Sequence, residues 1–196
     1  MATEEPDYTV LTHTDDFELR RYDEQLVAQT WVSGDQDTAS RQGFKILADY
    51  IFGNNTAPSG ESSKISMTAP VTMQSDNQNE DVSQKIAMTA PVSMQQNDGK
   101  WRVQFTMPSQ YTMQTLPKPN NPNVIITQVP AQTYGVIKFS GLAGSKKVAQ
   151  KTEALSAWMQ TQQLVITGAP ELARYNPPWT LPFMRRNEVM MAYQPK

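Results

Sequence analysis

The residues able to do chemistry in this chain are few, and their types narrow its options. There is one histidine, His13, no cysteine, and eleven methionines. Without cysteine there are no disulfides, thiolate metal sites, thioether-linked cofactors or thiol nucleophiles. His13 sits among Thr12, Thr14, Asp15 and Asp16. That polar, turn-like setting faces it to solvent, whereas a metal-ligating imidazole needs shelter and a second partner. No glycine-rich phosphate loop, G-x-S-x-G elbow or metal-ligand spacing occurs. The carboxylates are scattered and form no nucleophile–base pair, so no enzymatic activity is expected and no metal ligand can be named. The densest charge cluster is Arg185, Arg186 and Glu188. The two arginines could grip an anionic ligand. Alternatively, strand alternation puts Arg186 beside Glu188, where the two would pair. For an enzyme acting on a small apolar substrate, Glu188 is the one acid worth testing.

The methionines have a pattern of their own. Lys64–Gln74 reads KISMTAPVTMQ, and Lys85–Gln95 repeats it as KIAMTAPVSMQ. Strict alternation puts Ile65, Met67, Ala69, Val71 and Met73 on one side of a strand, and the second copy does the same with Met88 and Met94. The polar, acidic stretch between the copies reads as a loop. Met67 and Met88, with Met73 and Met94, could line an adaptable pocket, ligate a metal, or simply fill a core. Pro70 and Pro91 cannot donate to a ladder, which predicts a strand edge or a bulge at each.

The elements that must position these residues follow from periodicity. Residues 7–22 alternate as an opening strand, and Leu26–Val32 form a second that ends at Ser33-Gly34. A helix follows, capped by Asp37 or Thr38, with Phe44, Leu47, Ala48 and Ile51 on one face and Gly53-Asn54 as its stop. Asn97-Asp98-Gly99 is a turn into a strand bearing Trp101, Val103, Phe105 and Met107. The plan then restarts. Val124–Val129 and Tyr134–Phe139 are strands ending at Ser140-Gly141. A helix capped by Ser145 follows, and Glu188–Tyr193 is the last strand. Phe17–Gly34 and Val124–Gly141 match in length and in their Ser-Gly close. This predicts one domain over residues 1–196, with similar halves at about 7–110 and about 120–193.

The charge balance is nearly even, at −2, with no basic block, so no nucleic-acid footprint is expected. No apolar run reaches the ~18–20 residues of a membrane span. The start is acidic and lacks a signal-peptide pattern. A cytoplasmic monomer is expected, or an exported protein whose signal has been removed.

The order and spacing of several motifs carry a resemblance. They are the doubled KIxMTAPV phrase, PSQYTMQTLPKPNNPNV, VPAQTYGVIKFSG and the closing Tyr-Asn-Pro-Pro…Arg-Arg-Asn-Glu. Together they resemble the SOUL haem-binding protein family from about Tyr8 to Tyr193. The resemblance implies an α+β fold: a distorted antiparallel β-barrel with two helices, built from two similar strand-strand-helix-strand halves. It also implies non-covalent binding of haem or another tetrapyrrole by a buffer or carrier, with haem not required for folding. The positions it carries over are Arg41, Phe44, Leu47 and Ala48 on the first helix. Arg41 would pair with a propionate, while Phe44 and Leu47 would lie against the macrocycle. Positions that hold propionate-binding cations in animal members hold Asp49 and Leu181 here, which points instead to Lys45, Lys64, Arg185 or Arg186. Two other readings stay open. One is a protein- or peptide-interaction module without a haem role. The other is a small-molecule-binding or hydrolytic member of the gyrase-inhibitor-like fold group.

Overall fold

Alternating strands and two helices fall in the order the periodicity predicts. The structure is a computed structural model and describes residues 4–76, 100–176 and 179–195. Its first elements are β1 (Tyr8–Thr14), β2 (Phe17–Tyr22), β3 (Gln25–Ser33), α1 (Gln36–Ile51), β4 (Asn55–Thr56), β5 (Val71–Asp76) and β6 (Lys100–Thr106). They are followed by β7 (Lys118–Pro119), β8 (Ile125–Val129), β9 (Gln132–Ser140), α2 (Ser145–Thr161), β10 (Leu164–Ile166), β11 (Glu171–Arg174), a 3-10 turn (Pro182–Met184) and β12 (Arg186–Pro195). The architecture is α+β: two helices on a strongly curled antiparallel sheet.

The main sheet runs β1-β2-β9-β12-β11-β5-β6-β3-β8, with β10 paired to β12 and a separate β4-β7 pair. Apart from β1, this order is unchanged by exchanging β2 with β8, β9 with β3, β12 with β6 and β11 with β5. Two repeated halves give such an order when each lends its first strand to the other.

Several local expectations need correction. Residues 7–22 are two paired strands, β1 and β2, turning at Asp15 and Asp16. Asp15 takes φ 53°, a left-handed backbone that a short polar side chain tolerates. The cap of α1 is Asp35, whose Oδ1 accepts from the Asp37 and Thr38 amides at 3.0 and 2.9 Å. Gly144, not Ser145, precedes α2. In the first copy of the repeat only Val71 onward is strand. It is central, between β11 and β6, so Pro70 marks a strand start and not an edge. The second copy, with Met88, Pro91 and Met94, and the turn at 97–99 lie outside the described residues.

The methionine-bearing face is core. Ile65 and Met73 are buried with Ala28, Leu47, Ile51, Val103 and Phe105, and Met67 and Val71 pack against this cluster. Gly43 lets α1 settle directly on β6, since a Cβ there would lie 2.5 Å from Val103 Cγ2. Under α2, Leu19, Ile137, Leu155, Met159 and Val189 form a second core.

Alternation on β2 turns Glu18, Arg20 and Tyr22 away from that second core. Arg20 is fully buried there. Its Nε donates to Glu18 Oε2 at 2.6 Å, and Nη1 and Nη2 donate to Glu188 at 2.8 and 3.0 Å. Lys138 also bonds Glu18, and the Tyr175 hydroxyl donates to Glu188 at 2.6 Å. Removing one member of such a network strands the others without water. Arg20→Met is therefore expected to cost about 3–5 kcal/mol in urea unfolding. Gly43→Ala is expected to cost about 1–3 kcal/mol through overpacking.

Candidate functional site

Two surfaces could hold a ligand: the outer side of α1, and the inner face of the curled sheet. On α1 the residues brought to the surface are Arg41, Phe44, Lys45 and Asp49. Phe44 is 38% exposed and meets Phe105 edge-on at 5.4 Å. Leu47 and Ala48 do not join them. Leu47 is fully buried and Ala48 nearly so, because they form the stripe that packs on the sheet. Leu47 therefore offers no area to a ligand, which corrects the sequence expectation. Met67 is half-buried against the same core rather than lining a pocket.

Arg174, at the end of β11, was passed over in the sequence. It joins α1 to the β9–α2 connection. Its Nη1 donates to Ser40 Oγ and its Nη2 to the Ala143 carbonyl, both at 3.1 Å, and Asp37 lies 3.8 Å away. Its Nε is buried with no hydrogen-bond partner. Burial lowers its pKa, Asp37 opposes that, and the nearby charge of Arg185 adds to it. The Arg174 side chain keeps 31% exposure, so its charge is still open to a carboxylate. The signal was present in the ARYNPP motif, but nothing in spacing alone sets Arg174 apart from its neighbours.

The two arginines named from sequence have other duties. Arg186 donates to Glu188 at 3.0 and 2.9 Å and to Glu5 at 3.1 Å, and stacks 3.8 Å over Tyr175. Arg185 Nε donates to the Thr180 carbonyl at 2.7 Å, pinning the loop. Beyond them the loop exposes Trp179, Leu181, Phe183 and Met184. His13 is 59% exposed on β1, 3.8 Å from Glu18.

The inner face is different. Strands of both halves converge on a cavity of about 40 Å³, lined by Tyr22, Val27, Thr72, Gln104, Tyr134 and Glu171 among others. Residues 4–7 strap its mouth. The Glu4 carbonyl accepts from the Ala69 amide, Glu5 holds Arg186, and Pro6 contributes to the lining. Glu171 is buried, with Arg102 Nη2 at 3.4 Å. Burial raises its pKa, and the Arg102 charge offsets this only in part. Thr72 Oγ1 and Arg102 Nε are buried nearby without partners. Glu188, the acid singled out from sequence, behaves oppositely. Burial alone would raise it, but bonds and charge from Arg20, Tyr175 and Arg186 hold its pKa down. It is a locked anion, and the protonatable acid of the inner face is Glu171. A larger cavity of about 620 Å³ lies beside the strap. It is edged by Glu4, Glu5, Asp7, Asp23 and Glu24 and by no lysine or arginine among the described residues, so it does not suit a dianionic ligand.

The family described as SOUL heme-binding protein matches residues 3–83 and 74–192. The chain belongs to the SOUL family. No curated protein matches the sequence. Solved structures agree on the fold. The C-terminal domain of EcmrR aligns with TM-score 0.65 at 12% identity, covering 96% of this chain and 99% of that one. An uncharacterised conserved protein from Listeria innocua aligns with TM-score 0.61 at 12% identity, covering 98% and 94%. A hydrolase from Listeria innocua aligns with TM-score 0.59 at 11% identity, covering 91% and 92%. At these identities the likeness is one of fold. Among the described residues of this SOUL protein, no helix is long and apolar enough to cross a membrane, and no group of three or more His, Asp or Glu could hold a metal ion.

The three buried acids give opposite pH signatures. Glu18 and Glu188 have lowered folded pKa values, so their stabilisation is present above about 4.5 and is lost as pH falls. Glu171 has a raised one, so its contribution is present below 4.5 and is lost as pH rises through the folded value. Thermal melts across pH should show Glu171→Gln removing the loss on the alkaline side while the acid-side loss persists.

Proposed function

We propose that this protein binds a tetrapyrrole, haem in the first instance, non-covalently on the outer side of α1, as a buffer or carrier. Membership of the haem-binding SOUL family over nearly the whole chain carries this reading. The residues there fit a flat apolar ring with acidic side arms. Phe44 supplies an exposed apolar surface on α1. The partly exposed Arg174 and the exposed Arg41 are the cations for propionates. Burial of the ring's apolar area, at ~25 cal/mol per Å², would be the main driving force. The reading assigns the iron no protein ligand, because His13 stands on β1 and Met67 is turned to the core. Micromolar affinity, in order of magnitude, and ready release follow. The cores close without the ring, so folding does not need it.

Haemin titration followed at the Soret band tests this. A saturable one-to-one response is expected, weakened about tenfold or more by Phe44→Glu and by Arg174→Gln, with melting curves confirming both folds. A weak, non-saturating response from the unaltered protein would remove the reading.

Glu171 supports a second reading, a small-molecule or hydrolytic site on the inner face. A buried, protonatable acid beside two unpartnered polar atoms is what such a site requires. The fold is shared with a protein described as a hydrolase. A panel of small esters and amides, screened by thermal shift, should then stabilise the protein but not Glu171→Gln.

A further inference from the structure

Four of the exposed large apolar side chains among the described residues fall within one short loop. Trp179 is 84% exposed, Leu181 55%, Phe183 73% and Met184 62%. Leu142, 61% exposed, lies in the β9–α2 connection, whose neighbouring residue Ala143 is bonded by Arg174 from the same loop's base. This is a protruding tip rather than a groove. Pro182 and the 3-10 turn stiffen it, and Arg185 Nε pins its carbonyl at Thr180. Exposure on this scale is unusual for a surface that meets only water.

The surroundings of the tip are mainly basic. Phe183 and Met184 share an open cavity with Lys138, Phe139, Arg185 and Arg186, and with one acid, Asp16. Lys147 and Lys151 stand 5.6 and 5.9 Å from the Phe139 ring, extending the positive rim along α2. The chain as a whole is at −2, so this local sign runs against its average. Tryptophan, phenylalanine, leucine and methionine projecting past a rim of lysine and arginine match a bilayer surface. The apolar tips reach the acyl boundary, and the cations meet anionic headgroups.

We propose that this loop is a membrane-docking tip for an anionic lipid surface. Trp179, Leu181, Phe183 and Met184 insert at the headgroup level, and Lys147, Lys151 and Arg185 lie against the lipid phosphates. The protein is then peripheral, held by two weak signals together, apolar and electrostatic. The proposal does not rest on tetrapyrrole binding, which is measured separately by the Soret band.

Co-sedimentation with phosphatidylcholine vesicles, with and without phosphatidylglycerol, tests it on the full chain. Binding is expected only to the anionic vesicles, with a blue shift of tryptophan emission that Trp179→Phe abolishes. Phe183→Ser with Met184→Ser should weaken partitioning about tenfold or more, as should Lys147→Glu with Lys151→Glu or raised salt. All these positions are at least partly exposed, and melting curves will show that the variants fold. Failure of the unaltered protein to bind anionic vesicles overturns the proposal. So does binding that neither pair of substitutions alters. A stoichiometric protein partner lost on Phe183→Ser with Met184→Ser, without vesicle binding, would give the tip to a protein and overturn it as well.

Discussion

Arg20 has no route to water, and much of the second half of the sheet is arranged around that fact. A buried guanidinium must have its donors met and its charge balanced. Glu18 meets it from its own strand and Glu188 from β12, across the intervening β9. Tyr22 donates nothing to the balance but accepts from Nη1 at 2.8 Å, and burial pushes its own hydroxyl up to about 12. Glu188 in turn fixes Tyr175 and Arg186, and Arg186 holds Glu5 of the strap. One buried charge thus sets the register of β2, β9 and β12 and the course of the N-terminal segment. An apolar replacement could pack as tightly, but it would not select one register as sharply.

That arrangement leaves the two candidate surfaces with different characters. The helices take the apolar sides of both halves, so the inner face is left with Gln, Thr, Tyr and charge. There Glu171 has Arg102 at 3.4 Å, and that one cation does not outweigh burial, so its pKa is raised. The outer side of α1 is the reverse: an exposed aromatic, Phe44, on the helix to which Arg174 is bonded. The first suits a small hydrogen-bonding molecule, and the second a flat apolar one with acidic arms.

The elements legible in the sequence were those with a strong period. α1, α2, β3, β6, β8 and β9 all fall where alternation or helical spacing put them, and the motif order led to the right family. What was not legible depended on pairing between distant strands. Glu171 and Glu188 are the same residue type on neighbouring strands, and their different partners leave the pKa of one raised and that of the other lowered. Leu47 and Phe44 sit three apart on one helix, close enough in angle for one stripe. The close approach of Gly43 to Val103 decides that Leu47 is sealed while Phe44 stays out. Asp35 was missed as the cap because Asp37 and Thr38 satisfy the same preference, and choosing among them needs the backbone.

The strand order also bears on when this protein can fold during its synthesis. β2 pairs with β1 on one side, but on the other side it finds its neighbour only in β9, far later in the chain, and the Glu188 that balances Arg20 belongs to β12. β3 likewise awaits β8 on its open side. A ribosome-bound chain that has been made only through β6 carries three incomplete sheet edges, at β2, β3 and β5, and a positive charge with half its counterions. Such pairings close slowly, because the loop entropy is spent before the contacts form. Productive folding is therefore deferred until β12 has been made, and a chain ending before it would have unpaired edges open to aggregation.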